Sequence, residues 1–498
     1  MRKDFFIMKK TMRMLSLLLV AVMCLALVAC GGDPAQTGGN VPGTGSSNGT
    51  ATQPVSSEEP EELLEIPEDA YYEGYEFRII GKDNGIYSSV DIVVDETLEE
   101  DPINEAVYER NNKIEEELGV KIVSVNQSAG AIVNTIKNNV SAQTDAYDLF
   151  CVEMSSCFTL ARDGCIHNLY EVPYIDLEKS WWDQNVADTM TIKDKLYFTT
   201  GDITILDDDM TMVQLFNKDA LAEIKPEVDI YQVVKDKKWT LEYLETLIKD
   251  MNQDLNGNGS SDKDDQWGMC LSTADIVTWY NAAGEVMVAP DGEGGFKFAM
   301  DGARAVEVMT KALDFMLDNK FFRTDQLSAT ADDQLNSFMR GTVVFRSTIM
   351  RVARQLRPME MDFGMLPSPL FDEDQDRYYQ TVSYSMVGHG IPTTVSDLER
   401  TGIITEAMAY YSKQYITPAY YDVALQGILA RDDESKEMLD ILFSSKIYDL
   451  GYLLNVGGQQ RMPRGLVEAN SKAFASKYDE VRGVIEDDIA SFLDQFEF

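Results

Sequence analysis

Apolar positions along the chain fall into three regimes. Residues 14–29 are almost wholly apolar, behind a head that carries Arg2, Lys3, Lys9, Lys10 and Arg13. Residues 31–69 are Gly, Ser, Thr, Pro and acid, with almost nothing to bury. From about Tyr75 the apolar residues recur with the periods of strands and helices. Residues 77–80 read as a strand. Ile103, Val107, Ile114 and Leu118 recur at helical spacing, and Gly119 follows as a stop. Residues 120–125 form a second strand, 131–140 a helix, and 148–152 a third strand. This alternation predicts right-handed parallel βαβ units. The middle of the chain repeats the style. Strands are expected at 212–217, 342–346, 363–367 and 384–387. Thr240 caps a helix whose apolar face is Leu241, Leu244, Leu247, Ile248 and Met251. The last hundred residues read as mostly helical, most clearly at 404–411, 436–443 and 478–496.

The first regime is a secretory signal: a basic head, an apolar core and small residues at the cut. Its core of about 16 residues is short for a bilayer span, which needs roughly 20. It ends in Leu27-Val28-Ala29-Cys30, which resembles a bacterial lipobox, with Cys30 as the lipidated new N-terminus. An ordinary cleaved signal or an uncleaved anchor would share the apolar core; the four-residue box favours lipidation. Residues 1–29 are then the signal, and 30–69 the lipidated cysteine and a flexible tether.

Charge removes whole classes of function. Lys and Arg number 43 against 84 Asp and Glu, a net of −41, and cleavage before Cys30 would make the remainder more acidic. Such a surface repels phosphate backbones and is not drawn to anionic lipid by charge. At 44% hydrophobic residues, the 498-residue chain has material for two or three domains. Cys151, Cys157, Cys165 and Cys270 lie on apolar segments without a dense framework, and are expected as buried free thiols. His167 and His389, the only histidines, are too far apart in sequence for zinc-ligand or Ser-His-Asp spacing.

The sharpest motif is the run from Asp254 to Asp265, which matches the D-x-[DN]-x-[DN]-G calcium loop. Its oxygens would come from Asp254, Asn256, Asn258, the Ser260 carbonyl, Asp262 and Asp265, with Gly259 at the sharp turn. Asp265 stands where Glu is usual, and no partner motif exists, so the expected calcium is structural rather than signalling; an acidic loop without an ion is the plainer alternative. Trp181-Trp182-Asp183-Gln184-Asn185 and Trp279-Tyr280-Asn281 set large rings beside amides and acids, a combination that suits carbohydrate, although Trp is also common in cores. Trp239 and Trp267 are expected to pack. Arg346 and Arg351, on and after a strand, face either a cleft or a structural ion pair. No Walker or Rossmann phosphate loop occurs, and no acid pair stands out among so many carboxylates.

Together these pieces resemble an extracellular solute-binding lipoprotein of an ATP-binding-cassette importer, family 1, carbohydrate type. Tyr147-Asp148-Leu149 with Asp163-Gly164 and Leu169 is similar to that family's first-lobe run. Phe216-Asn217-Lys218 resembles its strand end. Trp239-Thr240, the calcium-type loop closed by Trp267-Gly268, Phe338-Met339-Arg340-Gly341, Gly364-Met365-Leu366-Pro367 and Ile391-Pro392 follow in the same order. Ser155 and Ser156 stand where better-known maltose binders hold a sugar-gripping acid.

The resemblance implies an α/β, two-lobed type II periplasmic-binding-protein-like fold with hinge strands and a central ligand cleft. The lobes would be 70–205 plus 340–395, and 206–339 plus 396–498. It implies ligand contacts from Ser155, Trp279, Tyr280, Asn281, Arg346 and Tyr384, to which the aromatic pattern adds Trp181 and Trp182, and no catalytic residue. The partners would be a small solute, most simply a sugar or oligosaccharide, and the permease subunits. The protein would work as a lipid-anchored monomer on the extracellular face of the membrane. A surface-tethered, glycan-acting hydrolase is the alternative.

Overall fold

The computed structural model describes residues 62–83, 91–97, 101–327, 329–356, 362–428, 434–455 and 458–496. The expected signal, Cys30 and the tether up to residue 61 lie outside the described residues. Among the described residues no helix is long and apolar enough to cross a membrane.

Eight strands build two sheets: β1 (Tyr75–Lys82), β2 (Val120–Gln127), β3 (Leu149–Glu153), β4 (Met212–Asn217), β5 (Trp267–Cys270), β6 (Val343–Ile349), β7 (Phe363–Leu366) and β8 (Val387–Gly390). The first sheet has the order β8-β3-β1-β2, and the second β5-β6-β4-β7. In the first, β1 runs parallel to β2 and β3, while β8 pairs antiparallel to β3. In the second, β6 and β7 flank β4 antiparallel, and β5 lies parallel to β6.

Local chemistry explains where the elements begin and end. Between β1 and β2 runs α1 (Pro102–Leu118). The Asp101 carboxylate accepts from the Ile103 and Asn104 amides, Pro102 occupies the first turn, and Gly119 closes the helix at φ 61°. Between β2 and β3 runs α2 (Ala129–Ala142), and β3 leads directly into α3 (Met154–Arg162). In the second lobe, the Thr240 hydroxyl caps α4 (Leu241–Ile248), which buries Leu241, Leu244, Leu247 and Ile248. Trp239 stacks on Phe345 at 6.1 Å and donates its indole N–H to the Pro367 carbonyl at 2.8 Å. It packs, as expected, and so does Trp267, tilted against Phe322. All four described cysteines are buried and free.

Two expected boundaries are corrected. Residues 343–349 and 363–366 were expected in the first lobe, but both strands pair with β4 of the second sheet. Likewise α6 (Leu398–Ile428), expected in the second lobe, packs along α1 of the first. Residues 384–387 were expected as a strand; the strand begins at Val387, and 383–386 form a turn.

The chain passes between lobes near Thr211 and again near Ser383, where the Ser383 amide donates to the Met210 carbonyl at 2.9 Å. A short parallel pairing of Gln380-Thr381 with Lys446-Ile447 lies in this junction. There the Lys446 ammonium meets three carboxylates: Asp207 at 2.6 Å, Asp208 at 3.0 Å and Asp183 at 3.3 Å. The Tyr448 hydroxyl donates to Asp183 at 2.6 Å. Burial pushes Asp208, and nearby Asp202, up to about 7.

Candidate functional site

In open α/β sheets the carboxyl ends of the strands face the ligand crevice, and three such ends carry polar groups here. In the first lobe β1 ends on Lys82 and β3 on Glu153. Lys82 is 1% exposed, yet its ammonium sits 2.9 Å from Glu153 Oε1 and donates to the Ser385 carbonyl at 3.2 Å. The other oxygen, Glu153 Oε2, is buried without a hydrogen-bond partner.

In the second lobe β6 ends beside Thr211, where the chain arrives from the first; the Met350 amide donates to the Thr211 carbonyl. Ser347 on this strand donates to Asp275 Oδ1. Asp275 opens α5 (Asp275–Ala282), and its Oδ2 accepts from the Ser272 amide at 2.6 Å and hydroxyl at 2.8 Å. Burial raises the Asp275 carboxyl, against the pull of these serines and of Arg346. Beside it, Arg346 is 7% exposed, and its Nε and Nη1 are buried with no hydrogen-bond partner. Between the lobes, on the 383–386 turn, Tyr384 is 51% exposed and meets Tyr452 edge-on at 5.5 Å.

Of the expected ligand residues, Arg346 and Tyr384 stand at this junction, and Ser155 is exposed in the first turn of α3, two residues past Glu153. The expected aromatic contacts are placed elsewhere. Trp181 and Trp182 are core, and their indole N–H groups donate to the two oxygens of one buried carboxylate, Glu406, at 2.9 and 3.0 Å. Every residue of α5 is buried, so Trp279, Tyr280 and Asn281 face protein on all sides. Trp279 lies edge-on to Phe315 at 5.4 Å, and Asn281 Nδ2 bonds Asp449 at 2.9 Å. The helix buried on every face has spent those side chains on packing; its first residue, Asp275, is the one that meets the junction.

Sequence reasoning missed Lys82, Glu153 and Asp275. Glu153 is the lone acid ending an apolar run, and Ser272-x-x-Asp275 has the spacing of a capping box. Those two signals were available.

The 254–265 loop is folded by its own side chains. Asp254 accepts from the Gly257 and Gly259 amides at 2.7 and 2.8 Å, and Gly259 takes φ 76°. Asp265 accepts from the Leu255 and Asp262 amides, and the Trp267 indole donates to the Asp262 carbonyl at 2.9 Å. The Asn256 and Asn258 amides donate into Asp262, which holds its carboxyl below the usual range together with the Asp264 amide. A cavity of about 220 Å³ adjoins the loop, lined by Asn252, Asp254, Ser260, Asp265 and Lys320 among others. Among the described residues, no three Asp, Glu, His or Cys side chains converge as a metal site.

Solved structures align over most of the chain. A maltose-binding periplasmic protein from Listeria monocytogenes, in complex with maltose, aligns at TM-score 0.55 and 14% identity, covering 84% of this chain and 99% of its own. The chain has the two-lobed fold of the solute-binding proteins. An ABC substrate-binding protein from the same organism, in complex with cycloalternan, aligns at 0.54 and 12% identity, with 82% and 98% covered. The GacH receptor of Streptomyces glaucescens, seen unliganded and with acarbose, aligns at 0.53 and 13% identity, with 83% of this chain and 99% of its own covered. No protein-family model and no curated protein matches the sequence. At such identities the likeness carries the fold and nothing finer.

Proposed function

We propose that this protein is a receptor that closes its lobes around an extracellular saccharide and delivers it to an ATP-binding-cassette permease, leaving the sugar's bonds intact. The observation that carries the reading is a pair of unused polar groups, one on a strand of each lobe. Glu153 Oε2 offers an acceptor from the first lobe, and Arg346 offers donors from the second. A polyhydroxylated ligand supplies both kinds of partner, and Tyr384 at the hinge gives its ring a face to pack on. Contacts to both lobes would raise the closed population by their differential affinity. The bound maltose, cycloalternan and acarbose of the fold's neighbours are in keeping with a saccharide. The lipid on Cys30 and the tether would hold the receptor at high effective concentration near the permease.

A thermal-shift screen of mono- and oligosaccharides, with peptides as control, tests this. A saturable rise in Tm without release of cleaved sugar is the expected result; turnover would replace the receptor with the hydrolase. Because Tyr384 is half exposed, Tyr384→Ala should change stability by less than about 1 kcal/mol. It should weaken ligand binding by roughly tenfold in calorimetric titration. A large stability loss with unchanged affinity would make the ring structural.

We also propose that the 254–265 loop binds calcium as a structural ion. Support comes from the order of its oxygens, Asp254, Asn256, Asn258, the Ser260 carbonyl, Asp262 and Asp265, with Gly259 at the turn. Chelation should lower Tm while leaving saccharide binding in place. A melting curve unmoved by chelator would dismiss the ion.

A further inference from the structure

Arg346 is the exception among the buried arginines of the described residues. Arg110 spreads its guanidinium over Ser412, Asn111 and three backbone carbonyls. Arg323 holds Asp325 through two nitrogens, and Arg351 holds Asp209 at 2.8 Å. Arg346, equally buried, has an unmet donor at Nε and another at Nη1, one on each edge of the planar group. Asp275, whose carboxyl senses Arg346, is committed to Ser272 and Ser347, and burial favours its neutral form. Folding a cation inward with neither acceptor nor ion pair is costly, and such a site persists where a ligand completes it.

We propose that the ligand is an acidic saccharide, and that Arg346 takes the carboxylate of a uronate residue. The inference rests on the receptor reading and narrows its ligand. A neutral hydroxyl would satisfy a donor of Arg346 but leave its charge uncompensated; a carboxylate satisfies both. The position is suitable, because β6 ends at the junction and its last two residues, Thr348 and Ile349, are partly exposed. The facing lobe fixes direction. Glu153 is ion-paired with Lys82, so that end offers an open acceptor at Oε2 but no spare cation; the hydroxyl-bearing end is drawn toward β3 and the acidic group toward β6. On a chain of net charge −41, a buried arginine is the means of selecting an anion that the outer surface repels.

The test titrates the full chain with di- and trigalacturonate, di- and triglucuronate, and neutral galacto- and gluco-oligosaccharides of equal length. At least one uronate series should bind roughly tenfold or more tightly than its neutral counterpart. Arg346→Met should erase that preference while giving an unliganded Tm equal to or above the parent's, since it removes an unpaired buried charge. Arg346→Lys should retain part of the preference. Neutral sugars binding as well as uronates, or a preference unchanged in Arg346→Met, overturns the proposal and leaves the receptor standing. Binding of neither class overturns both.

Discussion

Lys446→Ala should destabilise the protein by about 3–5 kcal/mol at pH 7.5 in urea unfolding, the range for stripping one partner from a buried charge cluster. Its ammonium is the cation that Asp207, Asp208 and Asp183 share. Burial alone would lower its pKa, but Asp207 and Asp208 hold it well above the usual value. Without it, the acids would repel one another in a junction already reluctant to ionise Asp207 and Asp208. The loss should therefore depend on pH. Burial raises both Asp202 and Asp208 from 3.8 to about 7, so the folded state takes up protons more readily than the unfolded one. Their contribution is fully present below about pH 4 and is lost as pH rises through 7. In Lys446→Ala the penalty should shrink markedly at pH 5, where the acids can neutralise themselves. An equal penalty at both pH values would mean the lysine acts through packing rather than charge.

Glu406→Ala should cost a similar amount, about 3–5 kcal/mol, because it orphans two buried indole N–H groups at once and leaves a cavity. Trp181 and Trp182 each donate to a different oxygen of Glu406, so no other single side chain replaces it. Glu406→Gln keeps one acceptor and turns its amide toward the second indole, and should cost about 1–3 kcal/mol. Burial lifts the Glu406 carboxyl from 4.5 to about 7 against the pull of those two bonds. Its stabilising term is thus greatest below pH 4.5 and fades as pH rises through 7. The penalty of the glutamine variant should follow the same course, largest in acid and smaller above pH 7. Tryptophan fluorescence during unfolding reads both rings directly; a flat penalty across that range would separate the indoles from the charge.

Much of the fold is legible in the sequence because local chemistry and tertiary packing agree. Asp101, Pro102 and Gly119 bracket α1 by capping alone, and the run at β3 is too apolar and short for anything but a buried strand. Lobe membership of β6 and β7 was not legible, since pairing with a strand more than a hundred residues away leaves no mark on a strand's own pattern. The site was half legible. Arg346 stood out because a basic residue on an apolar strand is unusual in so acidic a chain. Glu153 and Asp275 did not, for an acid among 84 carries no signal until a strand end or a helix start places it. The tryptophans misled for the opposite reason: polar neighbours suggested a sugar platform, whereas Glu406 and Asp449 supply those polar contacts from distant segments.

The sealed thiols have a practical consequence. Cys151, Cys157, Cys165 and Cys270 are buried, and burial pushes Cys270 up to about 12 and raises the others too, so all four resist alkylation at neutral pH. With Cys24 and Cys30 replaced, one new surface cysteine in each lobe could be dye-labelled selectively. The jaws' opening and shutting could then be watched one molecule at a time.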